Sequence, residues 1–304
     1  MNAVQTDVRT VVGIAGLGIM GIAYARNLCK AGYVVVGFDP APEAAAALAE
    51  CGGEALASPR AVAEQADIIL IALASIPALR DVTMQFAEAA REDQVVAEMG
   101  TLPLDAKEAA RDLLAAKGCT MLDCPVSGTG AQAATGDLVI FASGDSAAFD
   151  KIKPVFEAFA RDVRHVGAFG AGIKLKYVAN LLVTIHNLAA AEALLLAQKS
   201  GLDLQMVYDA VRSGAGNSRM FEVRGPMMIS DTYEPATMKM DVYMKDLTLI
   251  LDHARDVRAP LPLMTASLPY YMAALSQGRD KQDTAALFAV LKALAPSDRK
   301  ETHI

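Results

Sequence analysis

The stretch Val11–Gly21, VVGIAGLGIMG, constrains the fold of this chain more than any other. An apolar run rich in β-branched residues stops at Gly16, and glycines recur at 18 and 21. A second strand-like run, Val34–Phe38, ends on Asp39, 23 residues after Gly16. Strand, glycine turn, helix, strand and acid, in this order, make a dinucleotide-binding fingerprint. Gly16 permits the tight turn, Gly18 lets the backbone approach a pyrophosphate, and Gly21 lets helix and strand pack closely. Leu17, Ile19 and Met20 complete a loop whose helix N-terminus offers unpaired N–H groups to an anion.

Asp39 bears on which dinucleotide. A carboxylate at the end of the second strand accepts hydrogen bonds from a ribose and repels a 2′-phosphate. No Arg or Lys lies within Phe38–Ala47 to receive that phosphate. NAD is therefore expected rather than NADP, although Asp39-Pro40 would also serve as an ordinary solvated turn.

With 53% hydrophobic and 21% charged residues, the chain can bury a large core. A net charge of −7 without any Lys/Arg run argues against nucleic acid or an anionic membrane surface as the main partner. Cys29, Cys51, Cys119 and Cys124 have neither metal-ligand nor redox-motif spacing. They read as free thiols in a reducing cytoplasm, with no metal site. Tyr177–Ala197 imitates a membrane span, but Asn180, His186, Asn187 and Glu192 interrupt it, so a buried central helix is the better reading.

Strand-like runs at Val11–Ala15, Val34–Phe38, Ile68–Leu73, Val95–Glu98, Met121–Asp123, Leu138–Ala142 and Val163–Val166 alternate with alanine-rich helical stretches. Such alternation predicts an α/β doubly wound sheet. Leu138–Ala142 is the run expected to leave the parallel order, because the connection before it is short and glycine-rich. Ser58-Pro59 reads as an N-cap followed by a first-turn proline. After Gly172 the pattern becomes helical: 171–200, 203–213, 216–229, 238–258, 262–277 and 284–294, the last capped by Asp283. The expected domains are 1–168, binding the dinucleotide, and 169–304, all-helical, binding substrate and dimerising, joined by a long central helix. So bare an apolar helix also predicts a homodimer or homotetramer.

A nicotinamide enzyme must move a proton while the cofactor carries a hydride. The four histidines are poorly placed: His165 ends a strand, His253 sits among charges and His303 is in the tail, leaving His186 as an outside candidate. The long helix offers better. Lys176, Asn180 and Asn187 fall within about 40° of one another, with Thr184 about 80° away. Lys174 and Glu192 lie on the opposite side. Burial of Lys176 beside a cationic ring would lower its pKa toward neutrality, as a general acid/base requires. It would equally suit a snorkelling lysine at a helix start. The loop Asp123–Gly130 is rich in Ser, Gly and Thr and would present donors to a carboxylate, or form a plain turn.

Four ordered segments carry a resemblance over almost the whole chain. GLGIMG, DCPVSGT, GAGIKLKYVAN and MKDLTLILDHA resemble the cofactor loop, the D-x-P-V-S-G-G substrate loop, the G-x-G-x-x-x-K-x-x-N-N helix start and the K-D-L-x-L-A segment of the β-hydroxyacid dehydrogenases. The resemblance implies a Rossmann domain followed by a helical domain. It implies Lys176 as the catalytic lysine, Asn180 as its helper, and Ser127, Gly128 and Thr129 as the carboxylate site. Leu73, Ala74 and Thr101 would lie against the cofactor, Lys245 would reach it from the helical domain, and Asp246 would support the local structure. Substrates such as 3-hydroxyisobutyrate or 2-hydroxy-3-oxopropionate are expected.

Three departures bear on the substrate. Ala179 replaces the first Asn of a pair, Thr129 replaces a glycine, and Pro235–Lys245 is about one residue longer than in the branched-acid enzymes. Met238, Met240 and Tyr243 fall in that segment, beside the expected substrate. A polar sugar acid such as threonate is therefore an alternative. An imine reductase, whose relatives usually lack the lysine, and a non-catalytic NAD sensor are the remaining alternatives.

Overall fold

Valine, isoleucine and leucine fill the strands of the amino-terminal half, and both faces of those strands are buried, as a parallel sheet covered by helices requires. The computed structural model describes residues 10–296, and the chain divides into two units between Lys176 and Tyr177. In the first unit, β1 (Val11–Ala15), β2 (Val34–Phe38), β3 (Glu54–Ala55), β4 (Ile68–Ile71), β5 (Val95–Glu98) and β6 (Thr120–Asp123) form one six-stranded sheet. All its pairings are parallel, in the order β3-β2-β1-β4-β5-β6. The order reverses between β1 and β4, and the crevice at the carboxyl ends there is where such sheets bind ligands.

One core layer packs Leu28, Phe156 and Phe159 against the sheet, with Tyr24 stacked 4.6 Å from Phe159. The other packs Val62, Leu79, Phe86 and Leu114. Each fully buried side chain of this size contributes about 1.5–3 kcal/mol. Ser58 caps its helix as expected: its hydroxyl accepts from Ala61 N at 3.1 Å ahead of Pro59.

The expected strand at Leu138–Ala142 does leave the sheet, and the one at Val163–Val166 goes with it. β7 (Val126–Ser127), β8 (Val139–Ala142) and β9 (Asp162–His165) make a separate three-stranded sheet. β7 and β8 are antiparallel, β8 and β9 parallel. Strands as short as β3 and β7 carry no periodic signal, so the sequence does not announce them. The strand expected at Ile68–Leu73 stops at Ile71, which leaves Leu73 outside the sheet edge.

The second unit is helical. The long helix Ala171–Lys199 enters it, followed by Leu204–Val211, Arg219–Ile229, Met240–Asp256 and Pro262–Ser276. A 3₁₀ turn, Thr284–Ala286, then leads into Leu287–Leu294. Ser218, extended and accepting from Phe221 N, starts its helix later than the expected residue 216.

The long helix is apolar and long enough to cross a membrane by length and composition. Its polar stripe is nevertheless buried and bonded inside the unit. Asn180 Nδ2 donates to Asp246 Oδ2 (2.8 Å), Thr184 Oγ1 pairs with the Tyr243 hydroxyl (2.8 Å), and Asn187 Nδ2 donates to Thr284 O (2.9 Å). These bonds tie its polar stripe into the helical unit, with Asn187 Oδ1 left without a partner among the described residues.

Candidate active site

The three fingerprint glycines do three different jobs. Gly16 has φ +91°, and a Cβ there would lie 2.5 Å from Ala72 O. A Cβ on Gly21 would meet Gly16 O at 1.9 Å. Gly18 faces open space, and it caps the helix Ile19–Lys30 without any side-chain bond. The helix N-terminus is thus approachable by a pyrophosphate, which fits a dinucleotide. Leu17 is buried, Met20 half-buried and Ile19 exposed. Asp39 is more than a solvated turn. Its Oδ2 accepts from Leu17 N (2.8 Å) and its Oδ1 from Ala41 N (2.9 Å), so it braces the glycine loop from the end of β2. Each oxygen keeps a lone pair for a ribose hydroxyl.

The carboxyl ends of β1, β4, β5 and β6 bring the other expected residues of this unit together. The side chain of Leu73 lies against Gly16, its carbonyl lies against Gly100, and Ala74 follows it, exposed. Thr101, half-buried, follows Gly100 directly. The Ser127–Thr129 loop leaves the end of β6 and docks on the cofactor helix. Ile19 Cγ2 would be 2.4 Å from a Cβ on Gly130, and Asn27 Nδ2 donates to Ala133 O (2.9 Å). Thr129 has a structural task that the sequence reading did not assign. Its hydroxyl and N–H form a capping box with Gln132 for the helix Gly130–Ala134.

A buried charge cluster, absent from the sequence reading, lies behind these loops. Lys107 Nζ is 2.6 Å from Glu98 Oε2 and 2.6 Å from Asp123 Oδ1, with all three side chains fully buried. The same ammonium donates to Gly100 O (2.9 Å), while Glu98 Oε1 accepts from Gly100 N (2.8 Å). Burial works against the Lys107 charge, but Glu98 and then Asp123 outweigh it and lift Lys107 above the ordinary lysine range. Burial raises the Glu98 carboxyl, despite Lys107 and the Gly100 N–H. One sequence signal did exist: Lys107, Ala110 and Leu114 share the buried face of the helix Leu104–Ala115 at helical spacing.

The long helix starts on this cluster. Asp123 Oδ2 accepts from Ile173 N (2.8 Å), and Ser143 Oγ accepts from Gly172 N (2.9 Å) while bonding Asp123. Gly172 is obligatory, since a Cβ there would lie 2.3 Å from Phe141 O. Lys176 follows about one turn later, 8% exposed.

In the second unit, Asn180 is held by Asp246, and Lys245 Nζ lies 3.8 Å from Asp246 Oδ1. Met240 and Tyr243 are buried in this unit, where the Tyr243 hydroxyl also donates to Asn180 O (3.0 Å). Met238 remains half-buried. Among the histidines, His165 bonds Gly144 O, the His253 ring lies 5.2 Å from Tyr177, His186 is half-buried, and His303 lies outside the described residues. All four cysteines are free, and burial pushes the Cys124 thiol well above its usual range.

Residues 11–167 match the family described as the NAD binding domain of 6-phosphogluconate dehydrogenase. Residues 170–291 match the NAD-binding family of NADP-dependent 3-hydroxyisobutyrate dehydrogenase. The chain is 35% identical to an L-threonate dehydrogenase of Cupriavidus necator, over 92% of this chain and 95% of that one. It is 32% identical to the 2-hydroxy-3-oxopropionate reductase of Escherichia coli, over 93% and 98%. The solved 3-hydroxyisobutyrate dehydrogenase of Mycobacterium tuberculosis, studied with L-serine, superposes with a TM-score of 0.86 at 29% identity, covering 93% of this chain and 99% of that one. With a nicotinamide-dinucleotide fingerprint and a buried lysine in the expected places, the chain belongs to the β-hydroxyacid dehydrogenase family of oxidoreductases.

Proposed function

We propose that this chain catalyses the NAD-dependent oxidation of a small β-hydroxy acid, and its reversal, with Lys176 as general acid/base. One observation carries the reading. The helix bearing Lys176 is anchored at Ile173 to Asp123, on the strand end that leads into the Ser127 loop, and at Gly172 to Ser143, which itself bonds Asp123. Lysine and carboxylate loop therefore share one rigid base. Gly16–Gly21 and Asp39 hold the dinucleotide, with Leu73, Ala74 and Thr101 along it. Lys245 keeps its cofactor role on its motif match alone. When bound, the cofactor supplies a hydride acceptor.

Ser127, Gly128 and Thr129 receive the substrate carboxylate, Lys176 takes the hydroxyl proton, and Asn180 orients the oxygen. The Thr129 hydroxyl and N–H are both engaged in the cap with Gln132, so Ser127 and Gly128 supply the donors and Thr129 shapes the loop. Positioning supplies much of the rate. We assign residues 1–168 to cofactor binding and 169–304 to substrate binding and dimerisation. The free thiols suit a cytoplasmic setting.

The test is NADH formation at pH 8–9 across 3-hydroxyisobutyrate, 3-hydroxypropionate, glycerate and L-threonate, with NADP in parallel. Turnover with any of these acids supports the reading, and cofactor binding without turnover on any of them overturns it. A second reading, a polar sugar acid, is favoured by the similarity to L-threonate dehydrogenases; a preference for L-threonate in the panel would establish it.

Asp39→Ser is expected to lower kcat/KM for NAD about ten- to a hundredfold, since hydrogen bonds to charged groups contribute about 1.5–3 kcal/mol. NADP should lose less or gain. An unchanged ratio of the two cofactors would remove Asp39 from ribose recognition.

We also propose a homo-oligomer. Exposed Leu175, Val178, Leu182 and Leu196 fall within about 60° on one face of the long helix. Leu182→Glu should shift the sedimentation mass to that of one chain, and a wild-type mass of one chain would refute the idea.

A further inference from the structure

We propose that Lys107 is a positioning residue for this dehydrogenase, its ammonium fixing the Gly100–Thr101 turn and, through Asp123 and Ser143, the first turn of the helix that carries Lys176. The inference rests on the role proposed for Lys176.

The cluster bonds several backbone segments at once, which packing alone does not require. The Lys107 ammonium donates to Asp123 Oδ1 and Gly100 O and forms an ion pair with Glu98 Oε2 at 2.6 Å. Glu98 Oε1 accepts from Gly100 N, Asp123 Oδ1 from Lys107, and Asp123 Oδ2 from Ser143 Oγ and Ile173 N, while Glu98 Oε2 is left, among the described residues, with the Lys107 ion pair alone. Three charges withdrawn from water are costly, and apolar side chains of similar volume often serve stability as well or better. What apolar groups cannot do is hold directional bonds to three separate backbone segments. The cluster does this at Gly100, beside the cofactor-side Thr101, at Asp123, four residues before Ser127, and at Gly172–Ile173, one turn before Lys176. A shift of about 1 Å in a reacting group can lower turnover about a hundredfold, so a rigid common anchor for these segments acts on rate.

The test uses Ser143→Ala, which removes only the hydroxyl between Asp123 and Gly172 N–H, and Lys107→Met. The two are compared with Lys153→Met, an exposed lysine on the helix Ser146–Glu157. In both test variants kcat is expected to fall about ten- to a hundredfold, with the Kd for NADH within about threefold of wild type. The lysine's own environment gives a readout independent of turnover. Competitive acetylation followed by mass spectrometry should show the pH dependence of Lys176 labelling altered in both variants. Lys153→Met should change neither.

Should Lys107→Met fail to fold, Ser143→Ala decides alone. A wild-type kcat and an unmoved Lys176 titration, whatever the change in melting temperature, would reduce the cluster to a fold-stabilising role. A wild-type protein inactive on every acid, but with the titration still displaced in Ser143→Ala, would defeat the proposed reaction while sustaining the coupling.

Discussion

Lys176→Ala is expected to lower kcat by about a thousandfold or more, within the range a positioned acid/base contributes, and to leave NADH affinity nearly unchanged. The side chain is 8% exposed near the start of a predominantly apolar helix. Loss of the amine leaves an alkoxide-forming step without a proton acceptor, whereas the glycine loop and Asp39 remain intact. Lys174→Ala, an exposed neighbour pointing elsewhere on the helix, should be silent and controls for helix stability. The pH profile gives an independent check: kcat/KM for the hydroxy acid should fall toward acid as a single base is protonated, and that limb should vanish in Lys176→Ala. A variant with near-normal turnover, or one that keeps the limb, would assign the proton to another group.

Much of the site was legible because its residues carry local signals. Gly16 and Gly21 occupy positions where a Cβ would strike backbone, so the sequence must show glycine there. Asp39 terminates a recognisable strand. Lys176 and Asn180 stand out as polar residues on an apolar helix. Lys107 does not, because it sits in LDAKEAARDL, which reads as an amphipathic surface helix. Its burial depends on Glu98 and Asp123, contributed by two strands that are neighbours only in the sheet. Long-range pairing of this kind leaves no mark on spacing within one segment.

The same reason hides the bonding of Tyr243 and the task of Thr129. Tyr243 lies in the segment read as one residue longer, and its hydroxyl is committed to Thr184 and Asn180 within the helical unit. Thr129 reads as a bulkier glycine replacement until Gln132 is seen to reciprocate its cap. In each case the partner, rather than the residue, decides the role.

Asp283 shows how a correctly read local role can conceal a larger one, and it carries the second large prediction. The sequence marks it as a helix cap, and its Oδ1 does accept from Ala285 N at 2.9 Å. The same carboxylate also pairs with the buried Arg224 (3.2 Å) and accepts from Thr237 N, Thr237 Oγ1 and Met238 N. It therefore joins the final helix to the segment that leads into Met240–Asp256, whose Asp246 holds Asn180.

Burial pushes the Asp283 carboxyl upward, but Arg224 and the bonds from Thr237, Ala285 and Met238 hold it below the ordinary range. An acid with a lowered folded pKa stabilises the native state fully above its unfolded value, about 3.9, and loses that contribution as pH falls through the folded value. Asp283→Ala should cost about 3–5 kcal/mol at pH 7, since it strands a buried guanidinium. The gap to wild type should narrow progressively below about pH 4. The chain has no tryptophan, so urea unfolding followed by circular dichroism at pH 7 and at pH 3–4 is the direct comparison. A loss below about 1 kcal/mol at pH 7 would mean that water replaces the carboxylate at Arg224. An equal loss at both pH values would mean that the cost arises from packing around Thr237 and Met238 rather than from the charge, and Asp283→Asn would then be nearly as stable as wild type.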